Sequence, residues 1–194
     1  RRTILFGGGD AIDAEVRAGE ARWDGSRLRF RMTHAGVDLG EAVLRYIPTD
    51  DRHRMSAELL AKGIDADLET GLIPLMIISA AGTTDTGAVD PLDAIGDIAA
   101  RHGIWHHVDG AYGAFFAMCD EGQRILAGME KSDSLVMDPH KGLFLPYGTG
   151  AVLVKNARRL LDSFHYQANY MQDAVRDEGS PSPADLSPEL TKHF

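Results

Sequence analysis

The stretch that decides the fold runs from residue 72 to residue 114 and reads LIPLMIISAAGTTDTGAVDPLDAIGDIAARHGIWHHVDGAYGA. Its apolar run over 72–80 predicts a strand, and apolar residues at helical spacing, such as Leu92, Ile95 and Ala99, predict a helix over 91–102. A second apolar segment over 103–109 predicts another strand. A strand, a helix and a strand in this order are typical of a parallel β-α-β unit.

The same alternation extends along the rest of the chain. Further strands are predicted over 3–6, 28–32, 43–47, 134–137 and 151–154, and further helices over 10–22, 55–69, 121–129 and 156–163. We therefore expect an α/β fold with a mostly parallel seven-stranded sheet flanked by helices. In such a sheet the carboxyl ends of the strands lie at one edge, where ligands bind. The polar segment over 167–188, with its glycine and prolines, predicts a long loop.

Composition and charge argue against several classes of protein. Of the 194 residues, 44% are hydrophobic and 25% are charged, and the net charge of −9 argues against nucleic acid or an anionic membrane as a partner. The longest apolar run is too short to span a bilayer. The single cysteine, Cys119, gives no disulfide framework and fits a reducing cytoplasm. The chain does not begin with methionine and ends in what looks like the start of a helix, so we expect a fragment.

The segment WHHVDGAYGA, over 105–114, places a carboxylate at the end of a predicted strand. Strand alternation puts His107 and Asp109 on one face and His106 on the other, so Asp109 is expected to need a cation or several hydrogen bonds. A metal site built from His106, His107, Asp109 and His140 is disfavoured, because adjacent histidines on a strand point in opposite directions. A structural alternative, in which Asp109 caps the following turn, stays open.

The segment SDSLVMDPHKGLFLPYGTG, over 132–150, places Lys141 within an apolar, glycine-rich run. Pro139 favours an extended conformation at Asp138, which marks a corner after the strand. Lys141 is either a solvated surface residue or a residue held against apolar walls. In the second case its pKa would be lowered, which favours Schiff-base chemistry with a carbonyl.

Two further motifs have both a functional and a structural interpretation. The glycines at Gly7 to Gly9 follow a predicted strand and offer backbone N–H groups to an anion, although a plain tight turn explains them equally well. The pair Thr83 and Thr84 ends a predicted strand, where their hydroxyl groups could bind a ligand. The following Asp90-Pro91 is a good helix start.

Three of these blocks together resemble the group II pyridoxal-phosphate-dependent decarboxylases, the family of aromatic-amino-acid, glutamate and diaminobutyrate decarboxylases. The matching blocks are GTTDTGAVDPLDAI, WHHVDGAYGA and SDSLVMDPHKGLFLPYGTGAVLV, in that order. The resemblance implies the large domain of a fold-type I pyridoxal-phosphate enzyme over 1–165. It further implies a mobile loop and the start of a truncated helix over 166–194.

The resemblance also implies roles for individual residues. Lys141 would form the Schiff base with the aldehyde of pyridoxal 5'-phosphate, and Asp109 would pair with the pyridine nitrogen. Tyr170, in the mobile loop, would protonate the substrate carbanion after carbon dioxide leaves. The remaining implied cofactor contacts are Ala111 on the ring, Thr84 near the phenolic oxygen, and Asp138, His140, Gly8 and Gly9 around the phosphate.

One family feature has no clear counterpart. Members stack a histidine on the cofactor ring, and the corresponding window here holds Arg27, Leu28, Arg29 and Phe30. The nearest histidine is His34. Either residues are deleted before His34 or the stacking residue is absent.

The activity implied is decarboxylation of an L-amino acid to the amine and carbon dioxide through Lys141. The alternatives are another fold-type I reaction, namely transamination, aldehyde synthesis or carbon–carbon lysis, and an inactive truncated scaffold. The resemblance further implies a cytoplasmic homodimer with active sites near its interface, acting on a small-molecule amino-acid substrate, with no nucleic acid, membrane or metal.

Overall fold

The computed structural model describes residues 16–25, 27–34 and 37–160. The chain divides into two compact units, Arg1–Leu75 and Met76–Phe194, which are taken in turn. Several predicted features lie outside the described residues, namely the strand over 3–6, Gly8, Gly9, the loop over 167–188 and Tyr170. The same is true of the part of the last predicted helix beyond residue 160.

The first unit contains a three-stranded antiparallel sheet. Its strands are β1 (Val16–Asp24), β2 (Arg27–His34) and β3 (Val37–Arg45), in the order β1-β2-β3. Exposed ion pairs cross the sheet, with Arg29 bound to Glu41 at 2.6 Å and Arg31 bound to Asp38 at 2.9 Å. Exposed pairs of this kind contribute little stability but favour this register.

The helix predicted over 10–22 is wrong from residue 16 onward, where the chain forms β1. The alanines, glutamates and arginines of this segment have high helix propensity, which explains the error. In the folded chain its charged side chains instead find partners across strands, as Arg22 does with Glu41 at 3.0 Å. Such pairing, together with the contact of Trp23 with Tyr46, overrides local propensity.

Helix α1 (Ala57–Glu69) completes the described part of the first unit. Its N-terminus is capped by Ser56, whose Oγ accepts a hydrogen bond from the backbone N–H of Leu59 at 3.3 Å. Leu60 and Ile64 are buried on one face of the helix.

The second unit is built on a four-stranded sheet. Its strands are β4 (Met76–Ala80), β5 (Trp105–Asp109), β6 (Ser134–Met137) and β7 (Ala151–Val154), in the order β4-β5-β6-β7. The pairs β4–β5 and β5–β6 are parallel, and β6–β7 is antiparallel. The helices are α2 (Leu92–His102), α3 (Asp120–Ile125) and the single turn α4 (Pro139–Gly142). Short 3-10 turns cover Ala114–Met118 and Met129–Lys131.

The α/β class is confirmed, but the prediction of one mostly parallel seven-stranded sheet is wrong for the described residues. Their seven strands divide into a three-stranded antiparallel sheet and a four-stranded mixed sheet. The physical reason lies in the connections. Only two residues separate β1 from β2 and β2 from β3, which suits hairpins, whereas parallel strands need a long crossover.

One face of the four-stranded sheet is packed and the other is open. The packed face carries Ile77 and Val108, which are 6% and 0% exposed. The open face carries Ile78 and Val152, which are 52% and 59% exposed. The alternation predicted for β5 is thereby confirmed. The core cluster behind the packed face consists of Ala81, Leu92, Val108, Ala114, Leu126 and Leu135.

The connection from β4 to α2 is fixed by a buried carboxylate. Asp90 accepts a hydrogen bond from the backbone N–H of Ala80 at 2.7 Å. Helix α2 begins at Leu92 and ends at His102, and the following Gly103 has a φ of 65°. The Asp90 side chain therefore ties the helix start to the end of β4.

His106 is the largest polar side chain buried in this core. It is 0% exposed, and its Nε2 lies 2.8 Å from Ser79 Oγ, while its Nδ1 has no hydrogen-bond partner. Burial lowers the pKa of His106, so the neutral imidazole is the stable form in the fold. A serine and a histidine at this distance can form a nucleophilic pair, but here no substrate can reach them.

His106 should make the stability of the protein depend on pH. Its pKa in the unfolded chain is about 6.5, and its pKa in the folded chain is lower. Unfolding therefore takes up a proton as the pH falls below the unfolded pKa. The free energy of unfolding should decrease over that range and should decrease less in His106→Gln. Urea unfolding at several pH values measures the effect. His102→Gln, at the half-exposed end of α2, is the control, and an identical decrease in all three proteins would contradict the prediction.

Candidate active site

The carboxyl ends of three parallel strands bring the candidate residues to one edge of the sheet. Asp109 is the last residue of β5, and Asp138 follows the last residue of β6. Two backbone hydrogen bonds link the loops that follow these strands, from Gly110 N to Val136 O at 3.0 Å and from Asp138 N to Ala111 O at 3.1 Å. Asp109, Ala111 and Asp138 are therefore held as neighbours, as the parallel arrangement predicted.

The loops after β4 and β5 approach so closely that only glycine fits between them. A Cβ atom added at Gly113 would lie 2.2 Å from the carbonyl oxygen of Ala81 and 2.8 Å from the Cα of Gly82. Neither neighbour is a flexible side chain, so neither can move away cheaply. The glycines of DGAYGA thus serve loop packing at the base of the site.

Lys141 is held by an acidic neighbour. Its Nζ lies 2.7 Å from Asp138 Oδ2, and the two side chains are 36% and 17% exposed. The hydrogen bond with Asp138 raises the pKa of Lys141, with smaller contributions in the same direction from the charges of Asp138, Asp109 and Tyr147. The ammonium form of Lys141 is therefore the stable one at this edge.

The expectation that apolar walls lower the pKa of Lys141 is wrong for the described residues. The apolar run after the lysine points outward, since Phe144 is 93% exposed and Tyr147 is 94% exposed. Phe144 has a φ of 56°, which is unusual for an aromatic residue. Desolvation of the amine is accordingly outweighed by the ion pair with Asp138.

Asp109 lies on the open face and is exposed, which corrects the expectation of a buried carboxylate. Its Oδ1 accepts a hydrogen bond from the backbone N–H of Ala111 at 3.1 Å, so the structural interpretation of a turn cap is confirmed. Within the described ranges, no lysine, arginine or histidine forms an ion pair with this carboxylate at salt-bridge distance. Its charge nevertheless contributes to the raised pKa of Lys141. Asp109 can therefore cap the turn and still accept a cationic ligand.

The other predicted residues of this edge are placed less tightly. His140 donates from Nδ1 to the carbonyl oxygen of Thr149 at 2.6 Å, which leaves its Nε2 as a possible acceptor. Thr84 is exposed in the turn after β4, whereas Thr83 is engaged within that turn by its contact with Thr86 at 2.8 Å. His34 is the last residue of β2 in the first unit. Gly8, Gly9 and Tyr170 lie outside the described residues.

A polar group on the open face was not predicted. Ser134 Oγ accepts a hydrogen bond from Trp105 Nε1 at 2.8 Å and lies 2.8 Å from His107 Nδ1. The pairing of His107 with Ser134 in the parallel register of β5 and β6 places these side chains together. The sequence indicated that Trp105, His107 and Asp109 share a strand face. It did not indicate that Ser134 joins them, because the register between β5 and β6 is a tertiary property.

A metal site finds no support at this edge. In the part of the chain that the structure describes, no group of three or more histidine, cysteine, aspartate or glutamate side chains could hold a metal ion. The disfavoured set of His106, His107, Asp109 and His140 fails because His106 faces the core and His107 faces the open side.

The candidate site is an open edge. Two clefts of about 390 and 380 Å³ lie elsewhere in the second unit. The first is lined by residues such as Leu126, Met129 and Leu153, and the second by residues such as Gly96, Lys131 and Arg159. Neither cleft is lined by Asp109 or Lys141, whose side chains are exposed or partly exposed.

Comparisons with known proteins agree on one family. Residues 27–182 match the model of the pyridoxal-dependent decarboxylase conserved domain. The aromatic-L-amino-acid decarboxylase of Bacillus atrophaeus is 36% identical over 170 residues, which are 84% of this chain and 35% of that protein. The cysteine sulfinic acid decarboxylase of Mus musculus is 36% identical over 146 residues, which are 74% of this chain and 30% of that protein.

A solved structure shows the same likeness in three dimensions. The crystal structure of Oryza sativa TDC with PLP and tryptamine superposes with a TM-score of 0.71 at 33% identity. The match covers 79% of this chain and 32% of that chain. The chain therefore spans less than half the length of the relatives that it matches.

The close approach of the loops at the base of the site can be tested by adding one methyl group. Gly113→Ala should force the backbone around Ala81 and Gly82 to move, since its Cβ has no room. We expect a loss of about 1–3 kcal/mol in the free energy of unfolding, measured by urea denaturation. Gly19→Ala is the matched control, because a Cβ there meets nothing within 4 Å. Equal effects of the two substitutions would contradict the proposed packing.

Proposed function

The chain belongs to the pyridoxal-dependent decarboxylase family, and on that premise we propose that the whole protein decarboxylates an L-amino acid to the amine and carbon dioxide. Its cofactor would be pyridoxal 5'-phosphate. The observation that carries the proposal is the placement of a primary amine, Lys141, and a carboxylate, Asp109, after the ends of neighbouring parallel strands. The loops that carry the two groups are joined by the hydrogen bond from Asp138 N to Ala111 O at 3.1 Å, which supports a common ligand.

The residues at this edge suit that cofactor chemically. When bound, the cofactor supplies an aldehyde that condenses with an amine and a protonated ring that withdraws electrons from the bond to the leaving carboxylate. Lys141 offers the primary amine. Asp109 offers a carboxylate that is exposed and keeps acceptor capacity beyond its one bond to Ala111. Ala111 offers only a methyl group, against which a flat ring could pack.

Each residue would have a distinct task. Asp109 would hold a proton on the ring nitrogen, because a nearby carboxylate favours the charged form of a base. Lys141 would bind the cofactor covalently and exchange places with the substrate amine. Around these two, the proposed contacts are Ala111 on the ring, Thr84 at the phenolic oxygen, Asp138, His140, Gly8 and Gly9 around the phosphate, and Tyr170 as proton donor to the substrate carbon.

We also propose that the protein works as a homodimer with its active sites near the interface. The apolar loop that directly follows Lys141 supports this, because Phe144 and Tyr147 are almost fully exposed. Neighbouring exposed aromatic side chains mark a surface that binds another protein. A second copy of the chain is the proposed occupant, since a partner at this loop would enclose the open edge beside the lysine.

The proposed location is the cytoplasm, where the single Cys119 would stay reduced. Among the described residues, none of the helices is both long and apolar enough to cross a membrane.

We also propose that the four-stranded sheet of the second unit is part of a fold-type I large domain.

The activity can be tested directly on the full-length protein supplied with pyridoxal 5'-phosphate. We expect borohydride to fix the cofactor on Lys141, located by peptide mass spectrometry, and carbon dioxide to be released from an amino acid in a panel of aromatic, acidic and diamino substrates. Lys141→Ala should abolish both results. Lys131→Ala is the matched control, because Lys131 is also ion-paired, with Asp93 and Asp97, but lies away from the strand ends. Release of a keto acid or an aldehyde without the amine would contradict decarboxylation.

The dimer can be tested by changing the exposed loop. Phe144→Ser with Tyr147→Ser should shift the full-length protein toward monomer in sedimentation velocity experiments, because the interface would lose its aromatic anchors. Met118→Ser is the control, since Met118 is 75% exposed but lies outside the loop. An unchanged sedimentation coefficient in the double variant would place the interface elsewhere.

A further inference from the structure

The ion pair between Asp138 and Lys141 is built into one helical turn. The two residues are three positions apart, and the backbone N–H of Lys141 donates to the carbonyl oxygen of Asp138 at 2.9 Å. Asp138 is the extended N-cap residue of α4, and Lys141 lies within the turn that follows it. The 2.7 Å contact between Nζ and Oδ2 is therefore set by the local fold, since Asp138 precedes α4 directly.

The backbone of Asp138 is anchored, and its carboxylate is mostly buried. Its backbone N–H donates to the carbonyl oxygen of Ala111 at 3.1 Å, which anchors it to the loop after β5. On its other side, a Cβ added to Gly150 would come within 3.3 Å of Oδ1. With 17% of its side chain exposed, Asp138 is screened by solvent less than a surface carboxylate would be.

Among the described residues, each ionisable group that acts on the lysine raises its pKa. Asp138 contributes from the start of α4, Asp109 from the end of β5 and Tyr147 from the loop that follows α4. His140, the neighbour on α4, is turned toward Thr149 and packs its ring 4.8 Å from that of Tyr147. The unprotonated amine is therefore scarce near neutral pH, although only that form can attack a carbonyl carbon.

We propose that Asp138 is a positioning residue that holds Lys141 as an ammonium in the cofactor-free protein, and that this ion pair must open before the lysine can react with pyridoxal phosphate. The inference rests on the proposed function. The reaction of Lys141 with the aldehyde needs no further reactant. Lys141 releases one proton to solvent, its nitrogen adds to the aldehyde carbon, a carbon–nitrogen double bond forms, and the aldehyde oxygen leaves as water.

The ion pair is tested first in the cofactor-free, full-length protein. Competitive acetylation across a range of pH, read by peptide mass spectrometry, measures how much of the Lys141 amine is unprotonated. Asp138→Asn should react faster near pH 7, by about tenfold for each unit by which the pKa of Lys141 falls. Asp97→Asn is the matched control, because it removes an equal charge from Lys131 at 2.6 Å and should leave Lys141 unchanged. Equal acetylation of Lys141 in the wild type and in Asp138→Asn would overturn the proposal.

The same variants then test the reaction with the cofactor. After mixing with pyridoxal phosphate, covalent attachment to Lys141 should be faster in Asp138→Asn near neutral pH, and the two rates should converge at high pH, where both amines are unprotonated. Faster acetylation combined with unchanged or slower attachment would overturn the claim that the pair opposes loading. Failure of the wild type to attach the cofactor at all would overturn the proposed function, whereas the acetylation result would still decide the ion pair.

A wild-type measurement covers the case in which Asp138→Asn does not fold. The pH midpoint of Lys141 acetylation in the native, cofactor-free protein should lie above the midpoint for the same lysine in urea. The physical reason is that the ion pair exists only in the fold. A native midpoint equal to or below the unfolded one would overturn the proposal.

Discussion

The parallel pairing of β5 with β6 is the constraint on which the candidate site depends. It places Asp109 opposite Val136, so the loops that follow both strands leave the sheet at the same edge. The hydrogen bond from Asp138 N to Ala111 O then fixes the distance between those loops. A register shift of one residue would turn Asp109 toward the packed face and remove it from the lysine.

Charge at this edge is balanced by local geometry. The Lys141 ammonium forms an ion pair with Asp138, which directly precedes its helical turn. It also interacts electrostatically with Asp109 at the end of the neighbouring strand. If Lys141 reacts as proposed, Asp138 would lose its partner cation and Asp109 would be available to accept a new one. The charge state of the lysine therefore depends on both carboxylates, whereas Lys62, on the surface of α1, is paired with Glu58.

The part of the fold governed by short-range pattern could be predicted from the sequence. Strand alternation in β5 correctly separated His106 from Asp109, and the order of β4, α2, β5, β6 and β7 followed from apolar periodicity. The site residues that share the strand ends followed from the same pattern. The ion pair between Asp138 and Lys141 was also present in the sequence as an i, i+3 pair, but it was not recognised because α4 is a single turn.

The rest depends on long-range contacts that no local pattern encodes. Residues 16–22 have helix-forming composition, yet Arg22 finds its partner in Glu41 across a sheet. The sequence did not show whether the apolar side chains after Lys141 face the core or the surface, because hydrophobic side chains can pack on their own core or on a partner. The contact of Ser134 with both Trp105 and His107 required the β5–β6 register.

The proposed site is tested most directly by a crystal structure of the full-length protein grown with pyridoxal 5'-phosphate. We expect continuous electron density between the cofactor and Nζ of Lys141, and a ring nitrogen within hydrogen-bond distance of the Asp109 carboxylate. Cofactor bound away from the ends of β5 and β6, or a ring nitrogen without contact to Asp109, would contradict the proposed site.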